Sequence, residues 1–469
     1  MDILLTHGYF LSEDAQERKI MKPYPPLGLL YISSHLKARG FHVGIFDATF
    51  RGFPEFVEYL RRERPPVVGL YCNLMTKRSV LRMIAECRRT GATVVLGGPE
   101  PPHHAERYLE HGADLVIVGE GELTLEELLP RLLARPGARD LAGVHGLVYR
   151  DEAGRLVRTP PRALIPKLDE QPLPDREAIA IERYLDAWRS RHGMGSVSLL
   201  TARGCPYTCR WCSRSVFGET HRRRSAAKVA DEVEWLRERY RPDRLWFVDD
   251  VFTIHPGFVH AFAAEMQRRG LRVPFECISR ADRIDEGVAD ALARLGCFRL
   301  WIGSESGSQR ILDKMDRRVT VEQVQRATGL LQRRGIEVGM FIMLGYLGEE
   351  LPDLEATVEH LKRSAPDVFL TTVAYPIKGT PYYDEVEDQL VDDGAWESRS
   401  DRDLRPRARR SVAYYRFARR WIVGAVDRQR HWRAGRYARA ARSAALAGAG
   451  RLGMALLGGR TRRAASGGR

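Results

Sequence analysis

Cysteine is scarce here: seven residues in a chain of 469, an odd number with no spacing that reads as a disulfide framework. A disulfide-stapled secreted scaffold is therefore excluded, and a reducing cytoplasm is the expected compartment. Long apolar runs are missing too. None reaches the roughly 18–20 residues that a bilayer-spanning helix needs. The opening Met1-Asp2-Ile3-Leu4-Leu5 runs straight into a strand pattern, so no signal peptide is expected. None of the glycine-bearing strand ends within residues 1–135 matches Gly-x-Gly-x-x-Gly, which removes the usual warrant for a nicotinamide site there. Acids are nearly absent from one end: between Leu404 and Arg469 stand eighteen arginines, no lysine and one acid, Asp427, a charge of +17. Since the whole chain carries +14, residues 1–403 carry −3, and the basic character belongs to the tail. Such a tail suits an anionic membrane surface, nucleic acid or an acidic substrate, or is simply a solvated arginine-rich helix. Apolar content of 44% and charged content of 29% are ordinary for a globular protein, with room for two or three domains.

What is present is a tight group of thiols. Cys205, Cys209 and Cys212 stand in Arg203-Gly204-Cys205-Pro206-Tyr207-Thr208-Cys209-Arg210-Trp211-Cys212-Ser213, just after the apolar run Val197–Thr201. A 4Fe–4S cluster is normally held by four cysteines, so a loop that supplies three leaves one iron open to another ligand. The rival reading, a structural zinc site, needs four ligands, and no second Cys or His pair lies nearby. Cys72, Cys277 and Cys297, in or beside apolar strand-like runs, and Cys87, in a helical pattern, read as small buried hydrophobes.

Residues 1–135 alternate short apolar strands with amphipathic helices, the pattern of a doubly wound parallel sheet. In such sheets ligands sit beyond the carboxyl ends of the strands, which here carry Thr6-His7-Gly8, Asn73-Leu74, Gly97-Gly98-Pro99 and Gly119-Glu120-Gly121-Glu122. Residues 140–190 read as a connector, with a hairpin of Val148–Arg150 and Arg155–Val157 followed by Pro160, Pro161, Pro166, Pro172 and Pro174. From Ser196 to about Val386 six further strand–helix units follow, enough for an open part-barrel with its active face at the strand ends. The expected class is α/β: a Rossmann-like sheet domain (1–139), a connector (140–192), a partial (β/α)6 TIM-type barrel (193–386) and a basic helical extension (387–469).

These residues together resemble radical S-adenosylmethionine (SAM) enzymes with an N-terminal cobalamin-binding domain. The cysteine loop with Trp211 before its third thiol carries the likeness. So do Phe247–Thr253, Ile302–Ser308, Phe341–Gly345, Gly379-Thr380-Pro381, Pro25–Tyr31 and Pro172–Arg176, in that family's style and over about residues 1–385. The resemblance implies a 4Fe–4S cluster on Cys205, Cys209 and Cys212, with Trp211 against the cluster or the adenine, or in the core. It implies SAM contacts from Asp249, Asp250, Ser279, Arg280, Glu305 and Ser306, each of which could instead be a cap or ion pair of the fold. Cobalamin is expected near Gly97, Gly98, Pro99, Gly119 and Glu120. One departure stands out: no Asp-x-His-x-x-Gly occurs, and His103 and His104 lack that spacing. Cobalamin binding thus rests on the resemblance, with a lower face free of a protein histidine, or else the domain keeps the fold without the cofactor.

The implied activity is cobalamin-dependent C-methylation of an unactivated carbon. A radical SAM rearrangement or C–C bond-forming reaction is the alternative, and an RNA-modifying or RNA-binding protein the alternative of another class, though no nucleic-acid-binding motif set is present. An external electron donor such as flavodoxin or ferredoxin would feed the cluster. In the tail, Tyr414, Tyr415, Phe417, Trp421, Ile422, Val426 and Trp432 interleave with arginines. That composition suits peripheral docking on an anionic membrane, or a lid with its aromatics packed inward. A small-molecule substrate is expected, hydrophobic or membrane-held, such as a lipid or natural-product scaffold. A second stretch, Ala444–Leu457, is mildly apolar, and Arg460–Arg469 is expected to be disordered.

Overall fold

The computed structural model describes residues 1–134, 141–391 and 394–458. The expected boundary at 139/140 and the expected disorder of Arg460–Arg469 lie outside the described residues. Five parallel strands open the chain: β1 (Ile3–His7), β2 (Val43–Phe46), β3 (Val67–Tyr71), β4 (Thr93–Gly97) and β5 (Leu115–Ile117), in spatial order β2-β1-β3-β4-β5. Alternate side chains go to opposite faces. Leu4, Val68, Leu70, Val94, Leu96 and Val116 meet Phe56, Leu60, Met83 and Ile84 on one side. Ile3, Leu5, Val67, Val95, Leu115 and Ile117 meet Leu29, Leu36, Leu125 and Leu128 on the other. The chain reverses its winding between β1 and β3, so a crevice opens there at the carboxyl ends.

The expected hairpin exists, but it extends this sheet rather than standing apart. β6 (Leu147–Arg150) pairs antiparallel with β5, Val116 opposite Val148, and β7 (Leu156–Arg158) closes the edge. Leu147, Val148 and Tyr149 are buried, which is why the hairpin docks. A helix that the proline-rich connector obscured in the sequence, Ile181–His192, buries Ile181, Tyr184, Leu185 and Trp188, a stripe at i, i+3, i+4 and i+7. The Tyr184 hydroxyl donates to Asp47 at 2.9 Å, and Trp188 Nε1 donates to the Pro23 carbonyl at 2.9 Å. The connector is thereby fastened to the first sheet.

Six more parallel strands follow in chain order: β8 (Ser196–Leu199), β9 (Arg244–Phe247), β10 (Phe275–Ser279), β11 (Cys297–Glu305), β12 (Glu337–Leu344) and β13 (Val368–Val373). β8 and β13 do not pair, so the barrel stays open. Its helices start where the sequence supplies caps: Ser225 accepts from Lys228 N, Asp285 from Val288 N, and Thr320 with Gln323 forms a reciprocal box. Arg176 of the connector donates to Glu232 at 2.8 Å and to the Ser198 carbonyl at 2.7 Å, and Arg224 holds the other Glu232 oxygen. Burial would raise the Glu232 pKa, but the two guanidiniums outweigh it and hold the carboxylate below its usual range.

Two long helices, Val412–Arg433 and Tyr437–Gly458, come last among the described residues. They cross at glycines: a Cβ on Gly450 would lie 2.5 Å from the Trp421 nitrogen. Tyr414, Tyr415, Ile422 and Val426 enter the barrel's own core, so the tail's aromatics pack inward first. Among the described residues no helix is long and apolar enough to cross a membrane.

Candidate functional site

The cysteine loop hangs from a two-residue antiparallel ladder, Ala202–Arg203 against Arg222–Arg223, just beyond the end of β8. Gly204 opens the loop at φ 86°, and a Cβ there would sit 2.3 Å from the Thr220 carbonyl oxygen, so only glycine fits. Asp249, past the end of β9, fixes the ladder's approach. Its carboxylate accepts from Thr201 N at 2.7 Å, Ala202 N at 3.2 Å and the Thr201 hydroxyl, with Arg223 at 3.4 Å. Burial raises its pKa, and Arg223 and Thr201 oppose that rise. Asp249 therefore shapes the loop and has little left to offer a ligand.

The three thiols sit differently. Cys209 is buried, Cys205 half-buried and Cys212 exposed. Two buried guanidiniums address Cys209: Arg317 Nη1 lies 3.6 Å from its sulfur and Arg280 Nη1 3.9 Å. Among the described residues no three Cys, His, Asp or Glu side chains close around a single metal ion. Three thiols are one short of the four ligands that a structural zinc site takes. They match a cluster held at three corners, and the paired cations at Cys209 fit its negative charge. The loop's backbone is tied down on both sides, Arg210 N to the Met315 carbonyl at 3.1 Å and Tyr382 N to the Arg210 carbonyl at 2.9 Å. Trp211 packs at the edge of a small cluster with Tyr346, Tyr382 and Met315.

The remaining SAM-side expectations separate into free and engaged groups. Asp250 is exposed toward the thiols, and its pKa is pushed up to about 6, first by desolvation and then by neighbouring Asp249. Glu305 ends β11 in the left-handed region, φ 60°, unusual for a non-glycine and a mark of a constrained site. Burial lifts its pKa to about 7 against the pull of Arg317. Ser279 is buried against the Thr253 hydroxyl. Arg280 spends its N–H groups on Asp282 (2.9 Å) and the carbonyls of Arg317 (2.9 Å) and Arg318 (3.2 Å), stacked 3.6 Å from the Tyr207 ring centre. Ser306 faces away, accepting from Ser308 N at 3.1 Å beside Thr357. Arg317 had no signal in the sequence, because it lies in a tight turn after the short helix Gln309–Lys314 with no periodicity or motif.

A cavity of about 750 Å³ lies between the carboxyl ends of the two sheets. One wall carries Gly97, Gly98, Pro99, Gly119, Glu120 and Gly121; the other carries Cys205, Cys212 and Asp250. Cys209, Asp249, Ser279, Arg280, Glu305 and Ser306 stand outside its lining. A Cβ on Gly97 would meet nothing within 4 Å and one on Gly119 only the Val216 carbonyl at 3.8 Å, so these glycines leave bare backbone toward the space. Such a cradle fits the face of a broad planar group. Gly98, at φ 110°, is required by the backbone itself, since a Cβ would lie 2.3 Å from the Cys72 carbonyl oxygen. His103 and His104 are not in the lining; His7 is, but its ring nitrogens are engaged by Asp47 at 3.1 Å and Tyr9 N at 3.2 Å. The Glu120 carboxylate is likewise engaged, by Arg203 at 2.7 Å, Arg222 at 2.8 Å and Ile165 N at 2.7 Å. Tyr9, Tyr24, Tyr31 and Tyr71 complete an aromatic flank that sequence patterning alone did not single out.

Comparison with known proteins gives two family matches: the radical SAM superfamily over residues 199–361 and the B12 binding domain over residues 18–129. An uncharacterised methyltransferase of Pyrococcus horikoshii is 30% identical over 377 residues, covering 79% of this chain and 80% of that protein. An anaerobic magnesium-protoporphyrin IX monomethyl ester cyclase of Rubrivivax gelatinosus is 27% identical over 402 residues, covering 83% of this chain and 71% of that one. Among solved structures, the fold is that of TsrM from Kitasatospora setae, a radical S-adenosylmethionine methyltransferase with cobalamin and a 4Fe–4S cluster bound. That match has a TM-score of 0.69 and 23% identity, covering 84% of this chain and 81% of that one.

Proposed function

Since the chain belongs to the radical SAM superfamily and carries a B12-binding domain ahead of its radical SAM domain, we propose that it is a cobalamin-dependent C-methyltransferase acting on a small molecule. Its cofactors are a 4Fe–4S cluster, SAM and cobalamin, and the family's need for a reductant makes an external electron donor its partner. When bound, the cluster and SAM supply a 5′-deoxyadenosyl radical and cobalamin supplies a methyl group. In this reading residues 1–139 are the cobalamin domain, 140–192 the connector, 193–386 the radical core and 387–469 a basic extension whose helices Val412–Arg433 and Tyr437–Gly458 brace that core.

The observation that carries the proposal is the single cavity that reaches Cys205, Cys212 and Asp250 on one wall and the Gly97–Pro99 and Gly119–Gly121 backbones on the other. Cys205, Cys209 and Cys212 hold the cluster. Asp250, its carboxylate free of the ties that bind Asp249, receives the amino end of SAM, and Glu305 takes the ribose side. Arg280, Ser279 and Asp249 shape the mouth rather than hold SAM directly. Gly97 and Gly119 let the corrin lie against backbone. The tyrosines that line the cavity favour a hydrophobic scaffold as substrate. In the two C-terminal helices and the turn between them, Trp432, Tyr437, Leu446, Leu452 and Leu456 are exposed in an arginine-rich stretch, which supports a peripheral contact with anionic membrane.

The relative that is a cyclase supports a second reading, C–C bond formation without methyl transfer. Product mass separates the two: methylation adds one methyl and releases S-adenosylhomocysteine together with 5′-deoxyadenosine. The proposal is tested by anaerobic purification with cobalamin supplied, followed by iron, sulfide and corrin analysis and an assay of SAM cleavage. Iron, sulfide and corrin with deoxyadenosine formation are expected. Zinc in place of iron, or the absence of corrin, overturns it.

A further inference from the structure

Cys209 differs from the other two thiols in its surroundings. Two arginines from separate segments converge on one sulfur, Arg317 at 3.6 Å and Arg280 at 3.9 Å. Both are buried, at 7% and 1% exposure, so their charges are weakly screened by water. Neither is free to swing. Arg317 donates from Nε and Nη2 to the Gly303 carbonyl at 3.2 and 2.8 Å. Arg280 is held by the Arg317 and Arg318 carbonyls and by Asp282. The remaining N–H of each fork is thus pre-aimed at the sulfur. Gly303 belongs to the same device: a Cβ there would lie 2.5 Å from Arg317 Nη2 and 2.8 Å from a Glu305 oxygen. Among the described residues neither Cys205 nor Cys212 accepts from a guanidinium; burial and the acidic Asp250 raise the pKa of both thiols, with Arg280 opposing the rise at Cys205.

Resting on the cluster reading above, we propose that Arg317 and Arg280 are positioning residues that set the cluster's electron affinity through Cys209. One-electron reduction adds negative charge to the cluster and its thiolates. Fixed N–H donors and positive charge at one of those sulfurs stabilise the reduced form and raise the potential. In a site that must accept an electron from an external donor before SAM is cleaved, that placement favours loading. The arrangement also singles out the iron bound by Cys209 from its two neighbours.

The test is a redox titration of anaerobically reconstituted enzyme, followed by the electron paramagnetic resonance signal of the reduced cluster, with iron and sulfide counted in each sample. Arg317→Gln is expected to keep wild-type iron and sulfide while its reduced-to-oxidised ratio at the wild-type midpoint falls about tenfold, equivalent to about 59 mV for one electron. Arg317→Lys, which keeps charge and loses the fork, should fall between the two. If Arg317→Gln holds no iron, Gly303→Ala decides the matter: it retains the guanidinium but displaces it, and should shift the midpoint in the same direction. Iron-replete variants with the wild-type midpoint overturn this inference alone. A wild type that takes up no iron overturns the cluster reading and this inference with it.

Discussion

Arg203 and Glu120 join the two halves of the site by a 2.7 Å ion pair in which both side chains are 4% exposed. Arg203 stands two residues before the first thiol, and Glu120 lies in the glycine-bounded turn after β5. Arg203 also meets Glu122 at 2.7 Å, and Arg222 adds a second cation to Glu120 at 2.8 Å. The cysteine loop and the first domain's ligand-facing turn are therefore held at a fixed separation by three buried charges and the partly buried Arg222.

Removing one member leaves the others buried and underpaired, a change that costs about 3–5 kcal/mol when a buried pair is broken outright. Glu120→Gln, which keeps an acceptor, should fall at the low end of that range in denaturant unfolding. It should also let SAM cleavage continue while methyl transfer declines, because the cluster loop stays whole but its register to the opposite wall loosens. The ratio of deoxyadenosine to methylated product reports this. An unchanged ratio with unchanged stability would remove the pair from any positioning role.

Glu305 offers a cleaner substitution than its chemistry alone would indicate. Its φ of 60° costs an ordinary residue about 1–2 kcal/mol, which glycine avoids. Glu305→Gly should thus fold at least as well as wild type and keep its iron, while SAM binding weakens by about tenfold or more. Equilibrium binding of SAM to the reconstituted variant is the measurement. Wild-type affinity would take Glu305 out of the SAM site.

Much of the architecture was legible because short apolar strands and amphipathic helices have distinct periods. β3, β10 and the helices Glu122–Ala134 and Leu351–Ser364 lie where the patterns place them. The helix Ile181–His192 was not, since five prolines upstream dominated the reading of that stretch although its own stripe is regular. The thiols were legible from spacing. The roles around them were less so. Adjacent Asp249 and Asp250 look alike in a sequence, yet one accepts from the backbone nitrogens of Thr201 and Ala202 and the other faces the cavity. Arg280 and Arg317 meet at Cys209 only through the fold, which no local pattern encodes.

The tail carries two kinds of apolar residue, and they predict opposite results. Ile422 is fully buried in the barrel's core, so Ile422→Ala should cost about 2–5 kcal/mol. Leu452 is 63% exposed, so Leu452→Ser should change stability by no more than about 0.5 kcal/mol. Co-sedimentation with anionic vesicles then tests the membrane contact without disturbing the fold: Leu452→Ser combined with Leu456→Ser should bind less than wild type. Equal binding discards the contact. Deleting everything after Asp403 is a poor substitute, because it would strip Tyr414, Tyr415 and Ile422 from the core.

Glu349 gives the stability a pH dependence. One carboxylate oxygen accepts from Gly345 N at 2.6 Å, while the other is buried without a partner. Desolvation lifts its pKa to about 8, against the lowering effect of that backbone donor. The unfolded chain ionises this group from its ordinary value of 4.5 upward, whereas the folded chain keeps the proton until about 8. Between those limits the native state binds more protons, so stability must fall as pH rises, by at most about 1.4 kcal/mol per pH unit. Below 4.5 both states are protonated and the group contributes no slope. Glu349→Gln stays neutral throughout and should flatten the profile, with its gain over wild type growing steadily toward pH 8. Denaturant midpoints of the two proteins at pH 5, 6.5 and 8 measure this. Parallel profiles would show that the carboxyl is ionised in the folded chain across the whole range.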